Sequence, residues 1–332
     1  MSRPSPSRSG IAALAACFLA LSGCAAGGGD DGREGGGQDE AFATVETEFG
    51  EVVIEERPER VVALGWGDAE IALQLGVEPV GAADWIGFGE DVDGIGPWVE
   101  HTYSESPEIL GTMELDYEAV AALEPDLILD VNSSGEQERY ERLAAIADTV
   151  GVGPGGANYL TTGEEQVRMI GTALGQAERA EEILQEQEEA FAEAAGQHPE
   201  WQDLTVSVVT RTSEGWGAYT QDGRVEFMQE LGFTLNPEIE ALGAEGEWSV
   251  SLSDEQLSTV DADLIVAFPI FIGEEEITED PSWNAIPAVA EGRALVITGE
   301  LSRAFSLGTP EARGYALDQL VPLIEDSLGG QA

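Results

Sequence analysis

Glu118-Ala-Val-Ala-Ala-Leu-Glu-Pro-Asp-Leu-Ile-Leu-Asp-Val131 aligns without gaps on Glu255-Gln-Leu-Ser-Thr-Val-Asp-Ala-Asp-Leu-Ile-Val-Ala-Phe268. Each copy reads as an acid near a helix start, an apolar helix face, a turn ending in Asp, and an unbroken apolar run. Such a run suits a strand buried on both faces, the kind found in parallel sheets covered by helices. A second echo joins Gln74-Leu-Gly76 to Glu230-Leu-Gly232. The chain is therefore predicted to fold as two related α/β lobes.

The surrounding stretches extend the pattern. Thr44 to Glu55 alternates around Gly50 as a hairpin does. Arg60 to Gly65 reads as a buried strand, and Asp68 as the cap of a short helix that Gly76 closes. A helix from Asp116 to Leu123, a strand at Leu127 to Val131, a helix from Glu136 to Ala147 and a strand at Thr149 to Val152 follow. Gly163 to Gly196 is predominantly helical, and its second part would be about 30 Å long at 1.5 Å per residue. A second α/β lobe begins near Leu204. The fold class expected is thus α/β: two Rossmann-like lobes with mainly parallel sheets, joined by one long helix, with a cleft between them. The predicted boundaries are 44–160 for the first lobe, 163–197 for the helical linker and 200–332 for the second lobe.

Upstream, Arg3 and Arg8 precede an apolar run, Ile11 to Leu21, that is shorter than the roughly 20 residues a bilayer requires. Leu21-Ser-Gly-Cys24 follows at once and resembles the lipobox of bacterial lipoproteins, in which the Cys is lipidated. Residues 1–23 then read as a signal peptide, Cys24 as the lipidation site, and the Gly- and acid-rich stretch 24–43 as a flexible tether. Cys17 would leave with the signal, so the mature chain would hold no free thiol and no cysteine metal site. The localisation expected is the extracytoplasmic face of the cell membrane.

Composition excludes some partners. Acidic residues number 65 and basic ones 14, all of them arginine, for a formal charge of -51. Loss of Arg3 and Arg8 with the signal takes this to -53. Such a surface repels nucleic acid and anionic lipid. Catalytic signals are weak: His101 and His198 are the two histidines, no zinc spacing or nucleophile elbow is present, and an enzyme is not expected. His198 reads as solvated at the end of the long helix.

The aromatic residues carry more information. Trp66, Trp85, Phe88, Trp98 and Tyr103 follow first-lobe strands; Arg211, Trp216 and Tyr219 follow the first strand of the second lobe; Trp248, Phe271, Arg303 and Phe305 occupy other connections. Ligands of open α/β sheets bind beyond the carboxyl ends of the strands. Rings and guanidinium groups there suit a large planar or anionic ligand. The same rings can equally pin each loop to its own lobe. The candidate ligand contacts are Trp66, Trp85, Trp98, Tyr103, Arg211, Trp216, Tyr219, Trp248, Phe271 and Arg303. Trp201 and Trp283 read as structural. Glu118 and Glu255 sit early in their helices, where an acid favours the helix dipole without further function.

In series, Pro58-Glu-Arg-Val-Val-Ala-Leu64, Leu75-Gly-Val-Glu-Pro-Val-Gly81, Glu108-Ile-Leu-Gly111, Tyr117 to Ile128, Trp283-Asn-Ala-Ile-Pro-Ala-Val289 and Gly292-Arg-Ala-Leu-Val296 resemble the substrate-binding proteins of iron-siderophore, haem and cobalamin ABC importers, the class III or helical-backbone group. The resemblance implies capture of an intact ferric siderophore, with iron held by the chelator, no cofactor and no protein metal site. It implies a permease partner that Glu118 and Glu255 engage, membrane attachment through the lipid, and a monomer. Haem, through Tyr103 or His101, or cobalamin is the alternative cargo, and an extracytoplasmic hydrolase is a distant one. Scarce basic residues favour a hydroxamate or mixed siderophore over a catecholate.

Overall fold

A computed structural model describes residues 41–85, 93–111, 115–244 and 246–329. The predicted signal, Cys24, nearly all of the tether, and Phe88 lie outside them. At the tether's predicted end, Phe42 and Ala43 already pack on the first-lobe core.

The first lobe opens with an antiparallel hairpin, β1 (Ala43–Thr47) and β2 (Gly50–Ile54), turning at Gly50 as the alternation predicts. Then come β3 (Val61–Ala63), α1 (Asp68–Gln74), β4 (Gly81–Ala83), β5 (Glu108–Leu110), α2 (Tyr117–Ala122), β6 (Leu127–Leu129), α3 (Gln137–Ala144) and β7 (Asp148–Val150). The five strands from β3 onward pair in parallel in the order β5-β4-β3-β6-β7. Their residues Val61, Val62, Leu127, Ile128 and Leu129 are buried, as continuous apolar runs require.

Two helices follow, α4 (Gly163–Ala173) and the 21-residue α5 (Ala177–Gln197). Ala180 and Ile183 of α5 belong to the first-lobe core, whereas Phe191 packs in the second-lobe core against Phe227, their ring centroids 4.9 Å apart. One helix anchored in two cores acts as a strut.

The second lobe contains β8 (Thr205–Thr212), β9 (Gly215–Tyr219), α6 (Gly223–Glu230), β10 (Thr234–Leu235), α7 (Pro237–Glu240), β11 (Ser249–Leu252), β12 (Leu264–Pro269), α8 (Glu275–Thr278), α9 (Pro281–Asn284), α10 (Pro287–Ala290), β13 (Ala294–Val296), α11 (Gly299–Leu307) and α12 (Pro310–Gly329). Its six-stranded sheet runs β11-β9-β8-β12-β13, with β10 pairing the start of β8. The strands β9 and β11 are antiparallel additions to a parallel centre. The sequence repeat has a structural counterpart: β6 lies beside β3, and β12 beside β8, so each copy supplies the strand next to its lobe's first central strand.

Several local expectations change. Asp68 does not cap α1; the capping position is Gly67, and the Asp68 carboxylate turns inward. Glu255 does not open a helix. It precedes a single 3-10 turn over residues 257–260, a segment too short to nucleate an α-helix. Ser253 donates from its backbone N–H and its hydroxyl to Gln256 Oε1 there. His198 is not solvated: it is 8% exposed, stacks on Trp201 with ring centroids 3.9 Å apart, and faces Glu200 and Glu325. Trp201 and Trp283 are buried, as read.

Candidate functional site

The first-lobe strand order places a switch point at β3. The chain moves to one side of it for β4 and β5, then to the other for β6 and β7, leaving a crevice beyond the carboxyl ends of β3 and β6. Trp66 and Asn132 emerge there. They are tied together, Trp66 N–H donating to the Asn132 carbonyl at 2.9 Å, while Gln166 from α4 donates to the Trp66 carbonyl at 2.8 Å. Gly65 is required at this approach, since a Cβ would run into the Asp68 carboxylate and the Asn132 backbone nitrogen.

Trp66 stacks on Tyr159, with centroids 4.0 Å apart and planes 22° apart. The loop that delivers Tyr159 is strained: Asn158 and Tyr159 have φ of 60° and 61°, a conformation costly for a tyrosine. It is held by hydrogen bonds from both backbone N–H groups to the carbonyls of Ser134 and Ser133. Asn158 also reaches the second lobe, its amide donating to the Gly246 carbonyl at 3.3 Å.

Between the lobes lies a cavity of about 850 Å³. The Trp66–Tyr159 pair forms one wall and Trp248 belongs to the opposite one, backed by Tyr219 at a centroid distance of 5.5 Å. Arg224 in turn covers the Tyr219 ring at 4.3 Å. The strut α5 forms the floor with Leu184 and Phe191. The Trp66 indole N–H and the Asn132 side-chain oxygen on the first wall lack hydrogen-bond partners among the described residues.

Of the ten aromatic and arginine positions named from sequence, Trp66 and Trp248 line this cavity directly. Tyr219 supports Trp248, and Trp85 meets Trp66 edge to face at 6.1 Å. Trp98 is buried, its indole donating to Glu70 and its ring near Tyr315 of the second lobe. Trp216 is buried against Trp283, and Arg211 lies over the Trp216 ring at 5.3 Å. Tyr103 has a buried hydroxyl, and Arg303 is exposed on α11. Phe271 is 84% exposed with φ of 57°, beyond the end of β12. None of these last six lines the cavity. Conversely, Tyr159, Asn132 and Arg224 line it without having been named as contacts. Tyr159 could have been found from its loop, which follows a first-lobe strand.

Behind Trp66, α1 carries two buried carboxylates. Asp68 accepts hydrogen bonds from Gly65 N, Val131 N and Gln166, yet burial pushes its pKa up to about 7. Glu70 accepts from Gly96 N at 2.9 Å, Trp98 Nε1 at 3.0 Å and the Thr309 hydroxyl at 2.6 Å. Burial raises Glu70 as well, against those three bonds. Because Thr309 belongs to the α11–α12 turn, this one carboxylate fastens the two lobes together. Gly67 permits the seam, since a Cβ there would stand 2.5 Å from the Thr309 methyl. Close by, Glu311 accepts from Glu100 N and pairs with His101 at 3.6 Å.

Two α/β lobes on a helical strut, with a ring-lined cavity at the switch point, define a bilobal solute-binding protein. The chain belongs to the periplasmic binding protein family, whose model matches residues 61–301. It is 26% identical over 232 residues to the probable siderophore-binding lipoprotein YfiY of Bacillus subtilis, covering 68% of this chain and 67% of that one. It is 25% identical over 289 residues to the Fe(3+)-citrate-binding protein YfmC of the same organism, covering 84% and 85%. In fold it is similar to Streptococcus pneumoniae PiaA in complex with ferrichrome, at a TM-score of 0.73 and 23% identity, covering 86% of this chain and 99% of that one.

Proposed function

We propose that this chain is the extracytoplasmic substrate-binding component of an ABC importer, capturing a ferric siderophore whole and delivering it to the permease. The observation that carries the reading is the interlobe cavity, about 850 Å³ and faced by the Trp66–Tyr159 stack and Trp248. That volume suits a whole chelate and far exceeds a bare ion. Relatives named for siderophore and ferric citrate binding support the same cargo class. Iron stays with its chelator, and the protein needs no cofactor. A haem reading has less support, because neither His101, which faces Glu311, nor Tyr103 lines the cavity wall.

Within this function, residues 1–23 act as the signal peptide, lipid on Cys24 anchors the chain outside the membrane, and the stretch from Cys24 up to Phe42, where packing on the first lobe begins, serves as the tether. The folded part comprises lobes at 44–160 and 200–332 joined through 163–197, and works as a monomer. Glu118 and Glu255 dock the permease. Both are exposed, and they occupy matching positions ahead of β6 and β12.

The test has two readouts on one protein pair. Ferric siderophore should quench tryptophan fluorescence of the full chain, since Trp66 and Trp248 face the ligand. A Glu118→Ala, Glu255→Ala variant should show the same quench and affinity but lose iron uptake in cells. No quench with any ferric siderophore would remove the cargo assignment, and lost affinity in the variant would remove the docking roles.

A further inference from the structure

The cavity walls carry a charge pattern that the capture of a ferric siderophore does not by itself require. Helix α6 presents Asp222, its cap, then Glu226 and Glu230, spaced four residues apart and therefore on one helical face. Helix α5 turns Glu181 and Glu188 into the same space, and Glu164 at the start of α4 makes a sixth carboxylate. Against these six stand three arginines, Arg168, Arg224 and Arg313.

Each of the three is already neutralised. Arg224 is held by Asp222. Arg313 donates to Glu230 at 2.7 Å, and Arg168 bonds Glu181 at 2.7 Å as well as Glu164. The remaining carboxylates, Glu188 and Glu226, form no ion pair with a wall arginine among the described residues. Glu226 shows the consequence: burial first, and then the Asp222, Glu230 and Glu164 charges, raise its proton affinity despite Arg313. Arg211, Arg293 and Arg303, the other second-lobe arginines, lie outside the lining. The formal wall charge is thus three negative, within a chain of formal charge -51.

A trianionic chelate entering this space would meet like charge at short range, where solvent screens poorly. A neutral chelate escapes that repulsion. A cationic one gains from the carboxylates and from the faces of Trp66, Tyr159 and Trp248. We infer that the cavity selects a ferric chelate of zero or positive net charge, a trihydroxamate above all one with a free ammonium, and excludes polyanionic citrate and catecholate complexes. The inference rests on the proposed function and narrows its substrate class. It separates this chain from the relative named for ferric citrate.

The experiment is calorimetric titration of the full chain with three probes: ferrioxamine B, a ferric trihydroxamate bearing an ammonium; ferric dicitrate; and a ferric tris-catecholate. At low salt the hydroxamate should bind at least about 100-fold more tightly than either anion, a gap expected to narrow as added salt screens the walls. A Glu226→Gln, Glu230→Gln variant, which removes two carboxylates and frees Arg313, should bind the anionic probes at least about 10-fold more tightly than the parent and ferrioxamine B no more tightly. Its thermal melt reports that it folds. Equal or tighter binding of ferric dicitrate or the tris-catecholate by the parent overturns the charge selection while leaving ferric-chelate capture in place. Failure of all three probes to bind overturns both.

Discussion

Trp66→Ala should weaken ferric siderophore binding by about 30-fold or more, the effect of removing an anchor worth about 2 kcal/mol. Trp66 stacks on Tyr159 and lines the cavity, so its loss removes one stacking face and opens a void beside the ligand. The fall should appear in affinity more than in stability, because the ring is only half-buried. Trp216→Ala is the contrasting variant. That ring is 2% exposed and stacked on Trp283 in the second-lobe core, so its removal should cost about 3 to 5 kcal/mol of stability. Where the Trp216 variant remains folded, its affinity should stay near that of the parent. Paired binding titrations and denaturant melts separate the two outcomes. Equal affinity losses in both variants would mean that the stack at Trp66 is not a ligand wall.

Glu70→Ala is the second large expected effect. It leaves Gly96 N–H, the Trp98 indole N–H and the Thr309 hydroxyl without their acceptor in a buried seam. Orphaned buried donors cost about 1 to 3 kcal/mol each, offset by relief from a buried carboxylate, for a net loss on the order of 3 kcal/mol. The pH dependence has a definite sign. Burial raises Glu70 above its ordinary 4.5, so the folded state holds the proton more tightly than the unfolded state. Its contribution is therefore most favourable below the unfolded value and declines as pH rises through the folded one. Glu70→Gln should lose this decline while keeping one acceptor oxygen. Urea melts across mildly acid to neutral pH check it; an unchanged slope in the Gln variant would mean that Glu70 does not titrate in that range.

The architecture was readable because it is written in local patterns. A repeated stretch of sequence marks both lobes, and its strands reappear as β6 and β12 in equivalent sheet positions, although its helix forms in the first copy and shortens to a 3-10 turn in the second. The long helix shows itself by length and by one apolar face. Trp66 and Trp248 could be named because both lie in connections from which a cleft can be lined. The rest depends on contacts between distant segments. Glu70 meets Thr309 from 239 residues away, and no local pattern announces that a carboxylate on α1 will hold the other lobe. The same seam draws Trp98 into the interior, although its sequence neighbourhood reads as an open loop. Asp68 has the identity of a helix cap, but the Val131 N–H and the Gln166 amide donate to its carboxylate and hold it inward. The loop of Tyr159 is visible as a connection after a first-lobe strand, but its stacking on Trp66 depends on two successive left-handed residues, which sequence alone gives little reason to expect at a tyrosine. Pairing of each cavity arginine with an acid is likewise a product of helix packing.

Crystals of the full chain grown with a ferric trihydroxamate, measured at the iron absorption edge, would locate the metal directly. One anomalous peak should lie between the Trp66–Tyr159 stack and Trp248, with all of its ligand oxygens supplied by the chelator. A peak coordinated by protein side chains, or one on the outer face of either lobe, would contradict a cleft built to carry an intact iron complex.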